Sequence, residues 1–343
     1  MNKILTAMSG GVDSSVCCAM LLQNGLRAGG AMMLLRPGAM GEAQDAADVC
    51  RTLGVPFHLF CWGEVFRDTV EDDFCRVYCA GATPNPCVVC NKKMKFGLFL
   101  NEAPRLGYDG IATGHYARIE RSGERYLLRM AADGSKDQTY MLYALSQAQL
   151  ARSLFPLGAL TKDRVREIAA ELGLNVARKH DSQDVCFIPD GDYASYLQRR
   201  GIELTPGRFL DQEGRDLGPH QGAERYTIGQ RRGLGLSFGE RAYVTAKPWP
   251  DVVIGPNEAL FSRRVRVKDV NYIAVDSLDA PRRVRAKLRY TPRFAEALLI
   301  PADNGAVLEF DEPQRAVTPG QAAVFYEDDY VLGGGTITGA ADE

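Results

Sequence analysis

The chain has 343 residues, which at the usual ~100 to 200 residues per domain predicts about two or three domains. Hydrophobic residues make up 45% and charged residues 24%, ordinary globular values that exclude a disordered, collagen-like or coiled-coil protein. The net charge of -2 gives no overall signal for nucleic acid, and no apolar run reaches the ~18 residues that would cross a bilayer. We therefore expect a cytoplasmic protein without a membrane segment.

Residues 1–115 alternate short apolar runs with longer amphipathic stretches, a pattern typical of a parallel sheet covered by helices. The predicted strands are 3–8, 28–35, 57–62 and 109–113. The predicted helices are 16–22, 42–53, 64–78 and 95–106, with a proline-interrupted loop at 83–86. This order predicts an N-terminal α/β domain.

The rest of the chain changes character after about residue 190. Before that point, residues 117–130 alternate as in a hairpin, and 162–172 have a helical pattern. Residues 201–257 are rich in Gly, Pro and Arg, and alternating stretches from 258 onward predict a small β-barrel. The predicted domains are therefore 1–192, 193–257 and 258–343.

A glycine-rich run, SGGVDSS at residues 9–15, stands between the first predicted strand and the helix that follows. Paired glycines let the backbone approach a phosphate, and a helix start offers free amides and a positive dipole end. Ser14 and Ser15 add hydroxyl donors, and Asp13 can orient the loop or a magnesium ion. A tight turn that merely caps a helix is the alternative. No G-x-x-x-x-G-K-[ST] run occurs, so a Walker-type site is excluded.

This run resembles the PP-loop of the ATP pyrophosphatases. Members of that superfamily bind the pyrophosphate of ATP and transfer AMP to a carbonyl oxygen. They include NAD and GMP synthetases, argininosuccinate synthetase and tRNA thiolases. The PP-loop therefore predicts the activation step but leaves the substrate open.

Two cysteine segments bear on the substrate: TPNPCVVCNK at residues 83–92 and DSQDVCFI at 181–188. Nearby cations and a helix start favour a thiolate. Cys90 has both, since three lysines follow it: Lys92, Lys93 and Lys95. Cys186 is distant in sequence, yet two thiols that meet across a site can pass on the sulfur of a persulfide and end as a disulfide.

The nine cysteines are an odd number, which argues against a disulfide framework, and three other uses stay open. The first is burial in the core, for cysteines in apolar runs: Cys17, Cys18, Cys50 and Cys61. The second is a structural zinc site with C-x3-C-x7-C-x2-C spacing: Cys75, Cys79, Cys87 and Cys90. The third is an iron-sulfur cluster with one open iron: Cys87, Cys90 and Cys186.

A set of segments along nearly the whole chain resembles the signatures of the tRNA-specific 2-thiouridylases. In order they are SGGVDSS, TPNPCxxCN with KFG, ATGHYAR, KDQTYML, DSQDVCF, YTIGQRRGLG, LRY and PGQ. The resemblance implies a Rossmann-like PP-loop catalytic domain of the adenine nucleotide alpha hydrolase type at 1–192. It also implies a central domain at 193–257 and a tRNA-binding β-barrel at 258–343.

The resemblance also implies roles for individual residues. It implies an ATP site on Ala7, Met8, Ser9, Gly10, Gly11, Val12, Asp13, Ser14, Met33 and Gly114. It implies a nucleophile at Cys90, a persulfide carrier at Cys186, and a loop facing the target base at Asn85, Pro86 and Cys87. It implies tRNA contacts by His115, Lys136, Asp137, Gln138, Arg289, Tyr290 and Gln321.

In two places the chain departs from that family's pattern. Some members have Asp where Cys87 stands, so an acid-base role of that aspartate does not carry over to this chain. A thiol at this position also strengthens the cluster alternative. Residues 33–40 lack the polar run expected after the second strand, which puts contacts there in doubt.

Charge is unevenly distributed in the last third of the chain. Residues 263–293 contain ten Lys/Arg and three Asp/Glu, a net charge of +7. Residues 296–343 contain one Arg and ten Asp/Glu, a net charge of -9. The basic stretch predicts either a surface for a phosphate backbone or a merely solvated face.

Together these features predict an enzyme that uses ATP and Mg²⁺ to replace O2 of the wobble uridine (U34) of tRNA with sulfur from a cysteine persulfide, releasing AMP and pyrophosphate. Family resemblance implies the tRNAs for Lys, Glu and Gln as substrates, and a cysteine desulfurase or sulfur carrier as donor. Three alternatives remain: delivery of sulfide by an iron-sulfur cluster, a PP-loop synthetase that forms amides on a small molecule, and a non-catalytic zinc-bearing RNA-binding protein.

Overall fold

The computed structural model describes residues 1–174, 185–236 and 241–341. Its strands in the first half are β1 (Lys3–Met8), β2 (Arg27–Leu34), β3 (Phe57–Cys61), β4 (Gly110–Ala112), β5 (Arg118–Ser122), β6 (Arg125–Arg129) and β7 (Ser153–Leu154). Those in the second half are β8 (Gly207–Leu210), β9 (Asp216–His220), β10 (Tyr243–Ala246), β11 (Val252–Gly255), β12 (Phe261–Tyr272), β13 (Arg282–Lys287), β14 (Ala295–Ala302), β15 (Gly305–Arg315), β16 (Ala322–Glu327) and β17 (Tyr330–Ala340).

The described helices are α1 (Val12–Gln23), α2 (Met40–Thr52), α3 (Gly63–Phe66), α4 (Asp72–Cys79), α5 (Pro86–Val89), α6 (Leu100–Glu102), α7 (Gln147–Leu150), α8 (Lys162–Glu171) and α9 (Tyr193–Arg199). Two wider, π-helical stretches continue this helical path: Arg67–Glu71 joins α3 to α4, and Cys90–Phe99 joins α5 to α6. Within the described residues, no helix is both long and apolar enough to cross a membrane.

The N-terminal domain contains a parallel sheet with strand order β3-β2-β1-β4-β7. Parallel strands are usually covered on both faces, and buried apolar clusters lie on each side of this sheet. The predicted α/β fold class is therefore confirmed. The ends of these strands place the loops after β1, β2, β3 and β4 along one edge.

Two helices begin earlier than the sequence predicts. Helix α1 starts at Val12 instead of residue 16, because Gly11 is extended (φ -107°, ψ 172°) and the helix follows it directly. The helix predicted from residue 95 is preceded by helical chain that already begins at Pro86, since Asn85 caps it by accepting a hydrogen bond from the Val88 amide at 3.4 Å. Proline suits the first helical position, where no amide donor is needed. Both Cys87 and Cys90 therefore lie on a helix.

The central and C-terminal parts are built from antiparallel and mixed β-structure. The central sheet has the order β10-β11-β8-β9. The predicted C-terminal barrel is confirmed: β12-β15-β14-β13-β16-β17 closes through pairing of β12 with β17. The predicted hairpin β5–β6 joins this barrel sheet, because Arg129 of β6 pairs with Tyr330 of β17. The N-terminal domain and the barrel thus share a sheet.

The expected burial of four cysteines is confirmed for three of them: Cys17, Cys18 and Cys50. For Cys61 it is wrong, because its side chain is exposed. Cys61 ends β3, the edge strand of the sheet, where alternate side chains turn away from the core. Leu59, two residues earlier on the same face, is exposed as well.

Candidate active site and nucleic-acid interface

The loop after β1 is held by hydrogen bonds among its own residues. Ser14 Oγ donates to the Gly11 carbonyl at 3.1 Å and accepts from the Ser9 amide at 3.1 Å. Ser15 Oγ donates to the same Gly11 carbonyl at 2.8 Å. Gly10 has φ +68°, and a Cβ there would lie 2.4 Å from the Glu42 carbonyl oxygen, so only glycine fits. The result is a tight backbone turn at the start of α1.

Two other residues expected at the ATP site, Gly114 and Met33, lie at the same edge of the sheet as this loop. Gly114 follows β4, and a Cβ on it would lie 2.9 Å from the Asp13 carbonyl carbon, so the two loops are in close contact. Met33 lies near the end of β2, paired with Phe60 of β3. Ligands of open α/β sheets bind outside these carboxyl ends of the strands. The geometry is that of a nucleotide crevice, although the part each residue plays stays a prediction.

Sequence reasoning missed Lys162 and Tyr116, which both contact Asp13. Lys162 Nζ donates to Asp13 Oδ1 at 2.7 Å and to Oδ2 at 2.8 Å, and its side chain is only 8% exposed. Tyr116 Oη donates to Asp13 Oδ1 at 2.9 Å. No local signal marks Lys162, since it lies 149 residues from Asp13 at the start of α8.

A magnesium ion fits this site only in part. Mg²⁺ in nucleotide enzymes takes one or two carboxylates, with phosphates and waters as its other ligands. Asp13 offers such a carboxylate, but both of its oxygens accept hydrogen bonds from Lys162. The phosphates of ATP and water would therefore supply most of the ligands of the ion.

The structure brings together the two cysteine segments that are far apart in sequence. Cys90 and Phe187, the residue after Cys186, pack against one buried cluster formed by Phe66, Val70 and Met94. Leu35 and Trp62, which follow β2 and β3, belong to the same cluster. The thiols therefore lie at the sheet edge that carries the nucleotide loop. Residues 181–184 of the second segment lie outside the described residues.

The expected lowering of the Cys90 pKa is wrong in direction. Desolvation raises the pKa of the Cys90 thiol, and the charge of Lys95 only partly opposes this. Desolvation also raises the pKa of Cys186, to about 11, with further contributions from Cys90 and Cys87. Helix position and neighbouring lysines suggested a thiolate, but burial of the sulfur outweighs both.

Neither metal alternative gains support from the geometry. Within the described part of the chain, no group of three or more His, Cys, Asp or Glu side chains is arranged to hold a metal ion. Cys75 instead packs with Phe74 and Tyr78 in a cluster against α9. We therefore assign no step of the chemistry to zinc or to an iron-sulfur cluster.

The loop expected to face the target base is held by the C-terminal barrel. Gln321 Nε2 donates to the carbonyl oxygens of Thr83 at 3.1 Å and Pro84 at 3.0 Å. The Thr83 amide donates to the Pro319 carbonyl at 2.8 Å. The side chain of Gln321, an expected tRNA contact, is thus engaged in positioning this loop.

The expected tRNA contacts in the run 136–138 are largely turned into the protein. Asp137 is buried and accepts hydrogen bonds from the Ala131 amide at 3.1 Å and from Thr139 Oγ1 at 2.7 Å. Lys287 Nζ lies 3.7 Å from Asp137 Oδ2. Gln138 Oε1 accepts from the Tyr116 amide at 2.9 Å. Contacts of these residues with tRNA stay predictions. The burial of Asp137 argues against such a contact at that residue.

His115 lies between two aromatic rings near the nucleotide crevice. Its ring is 5.9 Å from those of Phe96 and Phe155, and its Nδ1 is 2.7 Å from Thr113 Oγ1. Burial lowers the pKa of His115 well below the ordinary value, and the charge of Lys95 adds to this. The imidazole is therefore neutral at pH 7 and offers no charge to a phosphate.

Arg289 and Tyr290 lie on the outside, beside the base-facing loop. Tyr290 is 50% exposed, and its ring lies 6.1 Å from that of Tyr140, whose hydroxyl donates to the Ala322 carbonyl at 2.9 Å. Burial raises the pKa of Tyr290, and Cys87 of the loop is close enough for its thiol to contribute to that rise. Arg289 is exposed and donates to the Arg315 carbonyl at 2.9 Å. Both side chains are accessible to a macromolecule that reaches the loop.

Part of the basic stretch is paired with acidic residues within the barrel. Its strands alternate in the barrel with strands of the acidic stretch: β12 pairs with β15, and β13 with β14 and β16. Ion pairs join the two stretches: Arg282 with Glu327 at 2.7 Å, Arg264 with Glu309 at 3.3 Å and, across the intervening strand β14, Arg283 with Asp311 at 2.6 Å. Three of the ten basic residues are thereby paired, and a phosphate-binding role of the others stays a prediction.

Three family models match the chain. They are described as the tRNA methyl transferase HUP domain at residues 2–190, the tRNA methyl transferase PRC-barrel domain at 194–253 and the aminomethyltransferase beta-barrel domain at 262–337. The first covers more than half of the chain. The division agrees with the change of architecture along the chain, while the predicted domain boundaries themselves stay predictions.

Curated relatives match nearly the full length. The chain is 46% identical to the tRNA-specific 2-thiouridylase MnmA of Heliobacterium modesticaldum, over 98% of this chain and 92% of that protein. It is 44% identical to the protein of the same name from Pelotomaculum thermopropionicum, over 99% and 98% of the two chains. A solved structure, the U34-tRNA thiolase NcsA from Methanococcus maripaludis, matches 58% of this chain and 66% of its own at 18% identity, with a TM-score of 0.37. That distant likeness supports no argument.

Proposed function

The chain belongs to the tRNA-specific 2-thiouridylase family, and on that premise we propose that it replaces O2 of a tRNA uridine with sulfur at the expense of ATP. The position is the wobble uridine, U34. The observation that carries the proposal is the packing of Cys90 and of Phe187, the neighbour of Cys186, against one cluster at the edge of the sheet with the nucleotide loop. Activation and sulfur transfer then share one crevice.

The first half-reaction activates the base. The loop at 9–15 and the start of α1 hold the phosphates of ATP, and Gly114 allows a second loop to approach closely. O2 of the uracil attacks the α-phosphorus, a P–O bond forms and pyrophosphate leaves. A carbonyl oxygen is a poor leaving group, whereas the AMP ester formed here departs readily. A magnesium ion bound to the phosphates would offset their charge.

The second half-reaction transfers the sulfur. The terminal sulfur of a Cys186 persulfide attacks C2, and AMP leaves as the C2–O2 bond breaks. The base then carries a disulfide to Cys186. Cys90 attacks the Cys186 sulfur, the S–S bond to the base breaks, and its electron pair completes the thiocarbonyl. A Cys90–Cys186 disulfide remains, which a thiol reductant must reduce before the next cycle.

The target base must leave its stack to reach this crevice, since its O2 and C2 are otherwise hard to reach. The loop at 83–87 is held by Gln321 and stands beside Arg289 and Tyr290, so it is suited to receive the extruded base. We assign Asn85, Pro86 and Cys87 to the base pocket. Arg289 and Tyr290 are the surface residues assigned to the tRNA around it.

The partners follow from this chemistry. The tRNAs for Lys, Glu and Gln are the proposed substrates, and a cysteine desulfurase or sulfur carrier loads the persulfide on Cys186. We place the reaction in the cytoplasm, where tRNA and ATP are both present.

Purified protein tests the proposal when incubated with tRNA transcript, ATP, Mg²⁺, a cysteine desulfurase, cysteine and a thiol reductant. Mass spectrometry of digested nucleosides should show 2-thiouridine, formed with equal amounts of AMP and pyrophosphate. Consumption of ATP with an ammonia source but no tRNA would instead identify an amide-forming synthetase. Binding of tRNA without any ATP consumption would indicate a non-catalytic RNA-binding protein.

A further inference from the structure

The helix that carries Cys90 is wound more widely than an α-helix. Residues Cys90–Phe99 are π-helical, a winding in which an amide donates its hydrogen bond to the carbonyl five residues earlier. In an α-helix, residues i and i+5 point about 140° apart, because each residue turns the chain by about 100°. A π-helix turns the chain less per residue, so residue i+5 lies closer to the face of residue i than it does in an α-helix. Lys95 is therefore brought nearer to the side of the helix that carries Cys90.

The three lysines after Cys90 differ in their surroundings. Lys92 and Lys93 are exposed, whereas Lys95 is partly buried between Met94 and Phe96, which are both in the core. The sequence alone treats these lysines as equivalent neighbours of the thiol. In the folded helix they differ in exposure, and Lys95 is the least exposed of the three.

The charge of Lys95 acts on every thiol of the candidate site. Desolvation is the largest influence on Cys87, Cys90 and Cys186 and raises the pKa of each thiol. Lys95 opposes that rise at all three, and Arg36 adds a smaller effect at Cys186. Repulsion among the three sulfurs acts in the other direction, since Cys87 and Cys90 each disfavour a neighbouring thiolate.

We propose that Lys95 is the cation that sustains the anionic sulfur of Cys90 and Cys186 during sulfur transfer, and that the π-helical winding of Cys90–Phe99 serves to place it there. The inference rests on the proposed function for its biological meaning. Sulfur transfer needs a thiolate at Cys90 to attack and an anionic persulfide at Cys186 to attack C2. Lys95 acts in this step only through its positive charge.

Thiol reactivity tests this without tRNA or ATP. The full-length reduced protein is alkylated with iodoacetamide over a range of pH, and modification of Cys90 and Cys186 is followed separately by peptide mass spectrometry. The variants are Lys95→Met, which keeps the length of the side chain without its charge, and Lys95→Arg, which keeps the charge. Lys93→Met is the matched control, because that lysine is exposed on the same helix.

With Lys95→Met, both thiols should react about tenfold more slowly at about pH 8, as expected when a thiol pKa rises by about one unit. Lys95→Arg should restore most of the reactivity, and Lys93→Met should leave it unchanged. Pyrophosphate release from ATP and tRNA should persist in Lys95→Met while 2-thiouridine formation slows, because activation uses no thiol.

The proposal is overturned if Lys95→Met alkylates like wild type, and weaker tRNA binding in that variant would then identify Lys95 as a phosphate contact. Circular dichroism melting of each variant shows whether the fold is kept, and Lys95→Arg gives the answer if Lys95→Met unfolds. If the alkylation result holds but no 2-thiouridine forms in wild type, the proposed function fails while the role of Lys95 in thiol chemistry stands.

Discussion

Lys162 Nζ donates hydrogen bonds to both carboxylate oxygens of Asp13, at 2.7 and 2.8 Å, and so ties the start of α8 to the nucleotide loop. Tyr116 Oη donates to the same carboxylate at 2.9 Å. A buried lysine is costly unless it is paired, so the contact fixes the side chains of both partners. The position of Asp13 thus depends on an element far along the chain.

The Lys162→Met variant should lose most of its ATP activation. The carboxylate of Asp13 is then free to move, so we expect slower release of pyrophosphate. We also expect the free energy of unfolding to fall by about 1 to 3 kcal/mol, because a buried pairing is lost. Steady-state release of pyrophosphate and urea denaturation measure the two effects. Arg164→Met, an exposed change on the same helix, is the control and should leave both unchanged. Normal activity of Lys162→Met would show that the contact is dispensable.

The Asp13→Ala variant should fold but release no pyrophosphate, because the loop loses the carboxylate that Lys162 and Tyr116 hold in place. Products are separated by chromatography of labelled ATP. Wild type should yield AMP and pyrophosphate. ADP and orthophosphate as the products would contradict adenylation of the base.

The Arg289→Ala variant should bind tRNA more weakly and with a smaller salt dependence. If one phosphate contact is lost, the slope of log binding constant against log salt concentration should become shallower by about one unit. ATP binding should not change. Arg283→Ala is the matched control on the same barrel, because Arg283 already pairs with Asp311 at 2.6 Å and has less charge to offer. Filter binding at several salt concentrations gives both slopes. Equal losses in the two variants would mean that general charge, not position, attracts the tRNA.

The variants Cys90→Ala and Cys186→Ala should each abolish thiolation, whereas Cys87→Asp should retain it. A relay needs a persulfide carrier and one partner thiol, so Cys87 would only line the base pocket. Thiolated tRNA, iron and acid-labile sulfide are measured on anaerobically purified protein. Stoichiometric iron in wild type, lost together with activity in Cys87→Asp, would require a cluster in place of the relay.

Acid should destabilise the fold through His115. Its pKa in the folded state is well below the ordinary value of about 6.5, first because it is buried and then because of the charge of Lys95. Below about pH 6.5 the unfolded chain therefore binds a proton that the folded chain does not, and stability falls as the pH falls, by up to about 1.4 kcal/mol per unit. Urea denaturation at several pH values should show a smaller acid loss in His115→Gln. An unchanged slope would assign the loss to other groups, among them His58 and His220, whose pKa values are also lowered by burial.

Much of the fold and of the chemistry is set by local patterns in the sequence. Alternation of apolar runs located the strands of the first domain, and a glycine pair between a strand and a helix located the nucleotide loop. Such features depend on neighbours within a few residues, where backbone sterics and periodic burial act. The start of the helix at Pro86 was not predicted, because a proline occurs in loops as well as at the first position of a helix.

Tertiary structure alone decided which distant residues meet. Nothing near Lys162 in the sequence points to Asp13. The packing of Cys90 and Phe187 against one cluster likewise brings together segments that are almost 100 residues apart in the sequence. In the sequence the basic and acidic stretches form two separate runs of charge, whereas the barrel sets Arg283 on β13 beside Asp311 on β15, across the intervening strand β14. Burial then reversed the expected pKa of Cys90, because desolvation depends on everything packed around a sulfur and not on the charges next to it in the chain.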